Sequence, residues 1–343
     1  MKRKFIAGFL TVALFFALAA SGFRIAPAEA ADQFRPGQFR LRLSTVVSGN
    51  HNWIQMAEFM RRELAERTNG AVELSIFPGA QLGNDEATVD LMRLGTLDMV
   101  IAGATTAVAF VPQLQILSLW YLYDDRYQFD SVMVGGGQVF NYIQRQYDER
   151  NLGLVLLGLG NAGERNVYSN RRIHSLSDMS GVNMRTTAAP IEAQVWGSLG
   201  TLPVPMGFAE IYTAMQANLI QAFEVTLAAF EGASLYEVAP YLILTGHQFT
   251  PSHISASAIT FNRLPEEIQQ IIREVAEEAA RLGSRLANEA DDSLIDVLVA
   301  QHNMTVIEVD GYEFRSVLEP LHDEVAANVG GEELLNIIRN QIR

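Results

Sequence analysis

The chain has no cysteine among its 343 residues. Disulfide bonds, thiolate nucleophiles and cysteine-type metal sites are therefore excluded, and the fold must be held by its core alone. Positive charge is also scarce, with 25 lysines and arginines against 39 aspartates and glutamates and a formal net charge of −14. So acidic a chain is poorly matched to nucleic acid or an anionic membrane surface, and neither is expected as a partner. The one long apolar run is residues 5–20, and its 16 residues fall short of the roughly 18–20 that a spanning helix needs. No G-x-S-x-G, H-E-x-x-H or P-loop occurs, so the common hydrolase, metalloprotease and nucleotide signatures are missing. The six histidines (His51, His174, His247, His253, His302, His322) form no helical ligand pair, and neither a metal nor a cofactor is expected.

What is present begins with a leader. Lys2, Arg3 and Lys4 precede the apolar run, and Ala28-Glu29-Ala30 has the small-x-small form of a cleavage site, so residues 1–30 read as a secretory signal peptide. Its removal takes away four cations and one anion and moves the formal charge from −14 to −17. Any anion that the mature chain binds must be held by local positive charge. The length suits two domains, and an apolar content of 49% is enough for their cores.

Residues 39–47 alternate apolar and polar side chains, as a half-buried strand does. A helix is expected over 53–68, a strand over 71–77, a helix over 85–94 closed by Gly95, and a strand over 99–102. Strand, helix and strand at this spacing make βαβ units with parallel strands. Residues 114–123 read as a buried segment, and 127–150 as helix broken at Gly135-Gly136-Gly137. Strands follow at 152–157 and 182–185, with helices at 190–199 and 210–218. One very long helical pattern spans 265–302, interrupted near Gly283, and the tail over 312–341 is mostly helical.

Gly158-Leu159-Gly160-Asn161-Ala162-Gly163 is a literal G-x-G-x-x-G after a strand. The dinucleotide reading also needs a helix opening at the last glycine, whose N-terminus holds the pyrophosphate. Instead the chain continues Glu164-Arg165-Asn166-Val167-Tyr168-Ser169, extended in character, so the glycines read as a hinge. Arg165 and Arg185 each stand where a strand runs out, and a guanidinium offers a planar fork of donors matched to a carboxylate. A proline-initiated helix follows Arg185 closely, so free backbone N–H groups lie near it and an anion site is favoured there. For Arg165 a surface salt bridge is an equal alternative.

At this point the residues carry a family resemblance. Phe77-Pro78-Gly79-Ala80-Gln81-Leu82-Gly83, Asp178-Met179-Ser180-Gly181-Val182-Asn183-Met184-Arg185, the run from Val204 through Phe208 to Gln216, and Tyr236-Glu237-Val238-Ala239-Pro240-Tyr241-Leu242 occur in one order. With them, nearly the whole mature chain resembles the solute-binding proteins of tripartite ATP-independent periplasmic (TRAP) transporters, of the C4-dicarboxylate-binding (DctP) type. The resemblance implies a periplasmic-binding-protein-like α/β fold, with two lobes joined by crossing strands and a long bracing helix and a ligand cleft between them. Lobe I is expected at 31–162 plus about 251–290, and lobe II at 163–250 plus about 291–343.

The same resemblance implies that Arg185 pairs bidentately with a ligand carboxylate, that Arg165 adds a contact, and that Phe208 walls the ligand. The family's D-G-x-E-N falls on Gln221-Ala222-Phe223-Glu224-Val225, so Glu224 is retained while Val225 replaces the ligand-bonding asparagine. That change points to a carboxylate with a less polar body. Asn50, His51 and Trp53 from the loop after the first strand, and Thr105 from the loop after the third, complete the expected site. The expected protein is a periplasmic monomer, not an enzyme, that captures a small organic acid and passes it to TRAP permease subunits. A ligand-presenting subunit of a sensory system, or an enzyme acting on a small acid, are the alternatives.

Overall fold

The computed structural model describes residues 34–342, so the expected signal peptide lies outside the described residues. The first βαβ unit forms as expected: β1 (Phe39–Ser44) and β2 (Val72–Phe77) are parallel, joined by the helix Asn52–Arg67. The helix Asp85–Arg93 and β3 (Met99–Gly103) follow, and the turn between them uses Gly95 at φ +69°. Next come the helices Arg126–Met133 and Gln138–Glu149, separated at the glycine triplet. The remaining strands are β4 (Leu154–Ser169), β5 (Asn183–Thr186), β6 (Leu202–Pro205), β7 (Ala222–Thr226), β8 (Tyr241–Ser257) and β9 (Thr305–Glu308). Among the described residues these nine strands make one mixed sheet, in the order β2-β1-β3-β8-β4-β7-β5-β6 with β9 on β8.

β4 and β8 are antiparallel and unusually long, at 16 and 17 residues. β3 pairs with Ser252–Ala256 of β8, whereas β9 pairs with Tyr241–Leu244 at the other end of the same strand and β7 with Arg165–Ser169 of β4. The two lobes therefore grow on opposite halves of two shared strands. Between the halves the β4–β8 register shifts at Asn161/Glu164 and again at Arg165/Val167.

β3 and the first half of β4 are buried on both faces. Val100, Ala102, Leu154 and Leu156 join one apolar cluster, and Met99, Ile101, Val155 and Leu157 the other, as a period of two requires. A third cluster in the second lobe packs Tyr168, Phe223 and Phe230 against one another in near-parallel planes.

The helix Glu266–His302 has 37 residues and is therefore about 55 Å long. It buries Ile268, Ile272, Val275, Ala276, Ala279, Ala280, Gly283, Ser284 and Ala287, a stripe at helical spacing. It runs through Gly283 without interruption, contrary to the break expected there. That glycine instead admits Met56 of the helix Asn52–Arg67, whose side chain would collide with any Cβ. The strand expected at 152–157 likewise continues through the G-x-G-x-x-G. Gly158 and Gly160 are close-approach residues: a Cβ on Gly160 would lie 2.9 Å from Ala280 O and from Ser284 Oγ, and one on Gly158 3.1 Å from Ala276 O. Only Gly163, at φ +111°, sits in the bulge and needs the freedom of a glycine.

Gly160→Ala should cost about 1–3 kcal/mol of unfolding free energy, because the clash is with helix backbone. Gly311→Ala, where no atom lies within 4 Å of the added Cβ, should stay within about 0.5 kcal/mol of the parent. Urea denaturation of both variants tests this, and equal stabilities would remove the packing role assigned to Gly160.

Candidate ligand-binding site

β7 pairs antiparallel with β4's second half and carries β5 as a parallel neighbour on its other edge, and the register shift at Asn161/Glu164 immediately precedes Arg165. The Arg165 guanidinium grips Glu224 through two N–H groups: Nε meets Oε2, and Nη2 meets Oε1 at 2.6 Å. Nη2 also donates to the Glu224 carbonyl at 2.9 Å, and Nη1 reaches Thr250 Oγ1 at 3.5 Å. Glu224 is 0% exposed. Burial alone would raise its pKa, but the Arg165 charge overrides this and holds the carboxyl at about 2. Behind it, His247 Nε2 stands 3.6 Å from Glu224 Oε2, while its Nδ1 meets Thr245 Oγ1 at 2.8 Å. Burial lowers the His247 pKa and keeps the ring neutral between Trp120 and Trp196.

Arg185 is 3% exposed. Nε and Nη2 donate to Met206 O at 3.2 and 3.0 Å, and Nη1 is left 4.0 Å from Glu224 Oε1, beyond hydrogen-bond distance. Burial depresses its pKa against the pull of Glu224 and Glu192, yet a guanidinium stays charged in any protein setting. Glu192 is itself buried, accepts the Thr187 N–H at 2.9 Å, and has its pKa raised by burial and by Glu224. The clamp thus sets two cations around one firmly ionised carboxylate, Glu224, which Arg165 holds directly and Arg185 approaches only to 4.0 Å.

Both arginines line a cavity of about 120 Å³. His51, Trp53, Thr105, Phe208 and Val225 line it too, as the sequence led us to expect. His51 caps the helix Asn52–Arg67, its Nδ1 accepting the Trp53 N–H at 3.1 Å. Burial pushes its pKa down to about 3, so the neutral ring keeps its proton on Nε2 and remains a donor.

Two expected residues are placed otherwise. Asn50 is exposed and outside the lining, its carbonyl accepting from Gln55 Nε2 at 3.0 Å. It is Asn52, the first residue of the helix, that is buried, donating to Asn161 O and Gly283 O at 3.2 and 3.0 Å. Glu224 also lies behind the lining, committed to Arg165. Gln248 and Thr250 were missed because β8 was not recognised as a strand, and Glu192 because nothing in a helix pattern marks one glutamate as buried. Asp85 and Glu86 carried a usable signal, since they open the helix after β2 at the same sheet edge as Thr105.

Fold and site together define a two-lobed α/β binding protein whose cavity offers a guanidinium to an anion. The family model for bacterial extracellular solute-binding protein, family 7 (DctP), matches residues 43–328, and the chain belongs to that family. The 2,3-diketo-L-gulonate-binding periplasmic protein YiaO of Escherichia coli is 28% identical over 74% of this chain and 77% of its own. The sialic acid-binding periplasmic protein SiaP of Vibrio cholerae is 26% identical over 80% of this chain and 84% of its own. A TRAP periplasmic solute binding protein from Roseobacter denitrificans, solved with bound L-galactonate, superposes with a TM-score of 0.81 at 28% identity, covering 90% of this chain and 100% of that one.

Glu224→Gln should destabilise the protein by about 3–5 kcal/mol at pH 7, because Arg165 is left buried without its counter-charge. The folded pKa of Glu224 lies at about 2, below the ordinary 4.5. Its stabilisation is therefore present above about pH 4.5 and lost as pH falls towards 2. Chemical denaturation of wild type and variant should show the gap narrowing between pH 5 and pH 3, and a gap that does not change with pH would contradict the charge pairing.

Proposed function

We propose that the protein is the extracytoplasmic solute-binding subunit of a TRAP transporter, which captures a small organic acid in the cavity and delivers it to membrane permease subunits. The observation that carries this reading is the uncommitted Nη1 edge of Arg185, a buried permanent charge beside a cavity, while Arg165 is already matched by Glu224. A ligand carboxylate supplies the missing counter-charge, and a charge-assisted pair with arginine is among the stronger polar contacts. The ligands named for similar proteins, a diketogulonate, a sialic acid and L-galactonate, are all acids and support the same class. Membership in a family of solute-binding proteins favours capture and release over chemical turnover.

In this reading the signal peptide at 1–30 is removed on export and the mature chain acts as a periplasmic monomer. Lobe I comprises 31–162 with about 251–290, and lobe II 163–250 with about 291–343. The register shift between Asn161 and Glu164 supports a boundary at that point of β4. Closure of the lobes over the acid removes water from the arginine–carboxylate pair and strengthens it. Phe208 and Val225 give the acid an apolar wall, and His51 and Thr105 give it polar partners from the other lobe.

Arg185→Ala should weaken binding by roughly 30-fold to several thousandfold, the range for truncating one member of a desolvated charge pair. Arg165→Ala should weaken it less. A thermal-shift screen of organic, sugar and keto acids on residues 31–343, followed by calorimetry of the acid retained, measures both. Undiminished binding of that acid by Arg185→Ala would sink the assignment.

A further inference from the structure

The cations in the lining of the cavity all lie on its second-lobe side, where the buried carboxylate Glu192 stands near them. Arg165 and Arg185 are the only cations in its lining among the described residues, and both belong to the strands that build the second-lobe wall. From the helix Asp85–Arg93 come two carboxylates, Asp85 and Glu86. Acidic residues are common in a first helical turn, where they complement the helix dipole, and such residues are normally solvated. Asp85 is not: its Oδ1 is buried with no hydrogen-bond partner, and burial pushes its pKa up to about 7. Trp53, 5% exposed in the lining of the same cavity, has its Nε1 buried and unpartnered as well. A buried polar atom without a partner is costly, so both atoms are available to whatever fills the cavity.

Counting charges decides what that is. Arg165 is saturated by Glu224, which leaves one guanidinium, Arg185, for one ligand carboxylate. A second carboxylate would find no free cation and would approach Asp85 and Glu86. A hydroxyl or amine would instead donate to Asp85, and a hydroxyl could also accept from Trp53 Nε1. Resting on the acid-binding reading above, we propose that Asp85 is a specificity-determining residue that makes this a site for an acid with one carboxylate and a separate hydrogen-bond donor, and that excludes dicarboxylates.

The test is calorimetric titration of the mature chain with matched acids. Galactonate is compared with galactarate, and 4-hydroxybutyrate with succinate, since each pair differs only by a terminal hydroxymethyl against a terminal carboxylate. The acid retained from the thermal-shift screen is compared with its counterpart carrying one carboxylate more or fewer. Wild type should favour the monocarboxylate by at least about tenfold, and Asp85→Asn should reduce that preference by about ten- to hundredfold. Glu86→Gln should reduce it less, because Glu86 is exposed. Circular dichroism shows whether both variants are folded. A wild type that binds the diacid as tightly, or a preference unchanged in Asp85→Asn, overturns the inference while leaving the acid-binding reading intact. No response to any acid, with Arg185→Ala indistinguishable from wild type, defeats that reading and this inference together.

Discussion

The buried pair between Arg165 and Glu224 is the interaction on which the site depends. It joins β4 to β7 at the point where the β4–β8 register shifts, and its carboxylate partner, Glu224, is 0% exposed. Two ions taken out of water gain little net stability from each other unless their geometry is good and their remaining lone pairs are satisfied. Here the contact is a two-pronged fork with a further bond to the Glu224 carbonyl, so the condition is met. The consequence for function is indirect. Because Glu224 is held by Arg165, it approaches Arg185 only to 4.0 Å, and no carboxylate of the described residues hydrogen-bonds the second arginine. The exposed arginine pairs elsewhere, such as Arg40 with Glu73 or Arg285 with Glu289, have no comparable role, because water and salt screen them.

The clamp needs a frame that holds two lobes at a fixed edge, and glycine supplies it. Gly158 and Gly160 bring β4 against the long helix, and Gly283 brings the helix Asn52–Arg67 against the same buried stripe of that helix. Asn52 then bonds both partners at once, through Asn161 O and Gly283 O. His51 and Trp53 flank Asn52, so the contact that docks the first helix also orients two cavity residues. Packing and recognition are therefore set by the same three glycines, which is why a nucleotide-like motif could arise here without a nucleotide.

The first four strands and the long helix were legible because their apolar spacing is strong and their caps are conventional. β8 was not, because Thr250, Ser252, His253, Ser255 and Ser257 fill buried positions that a strand pattern reserves for apolar side chains. His253 bridges Thr106 and Ser255 at 2.9 and 2.7 Å, which satisfies the most polar of these positions within a composition that reads as loop. In the site, Arg185 was legible from charge, strand end and the proline-led helix that follows. Glu224 was found as a residue but misread as a role, since sequence order cannot tell whether a carboxylate faces a cavity or a neighbouring guanidinium. Asn50 failed for the converse reason: a one-letter neighbourhood places a residue near a site, but a helix cap turns His51 inward and leaves Asn50 outside.

The overall charge of the chain sharpens what the cavity must do. Beyond Lys4 every basic residue apart from histidine is an arginine, and the acidic residues outnumber them well. The long-range field therefore opposes an approaching anion, and steering by net charge cannot explain acid capture. Capture has to come from short-range terms: one desolvated guanidinium, the neutral His51 donor and the apolar wall from Phe208 to Val225. Such terms act only once water has been expelled, so affinity is tied to enclosure rather than to encounter. An asparagine at position 225 would have added a hydrogen bond on that wall. In the proposed reading, valine there leaves orientation of the acid to Arg185 on one side and to the polar groups of the first lobe on the other, so that recognition needs both lobes around the ligand.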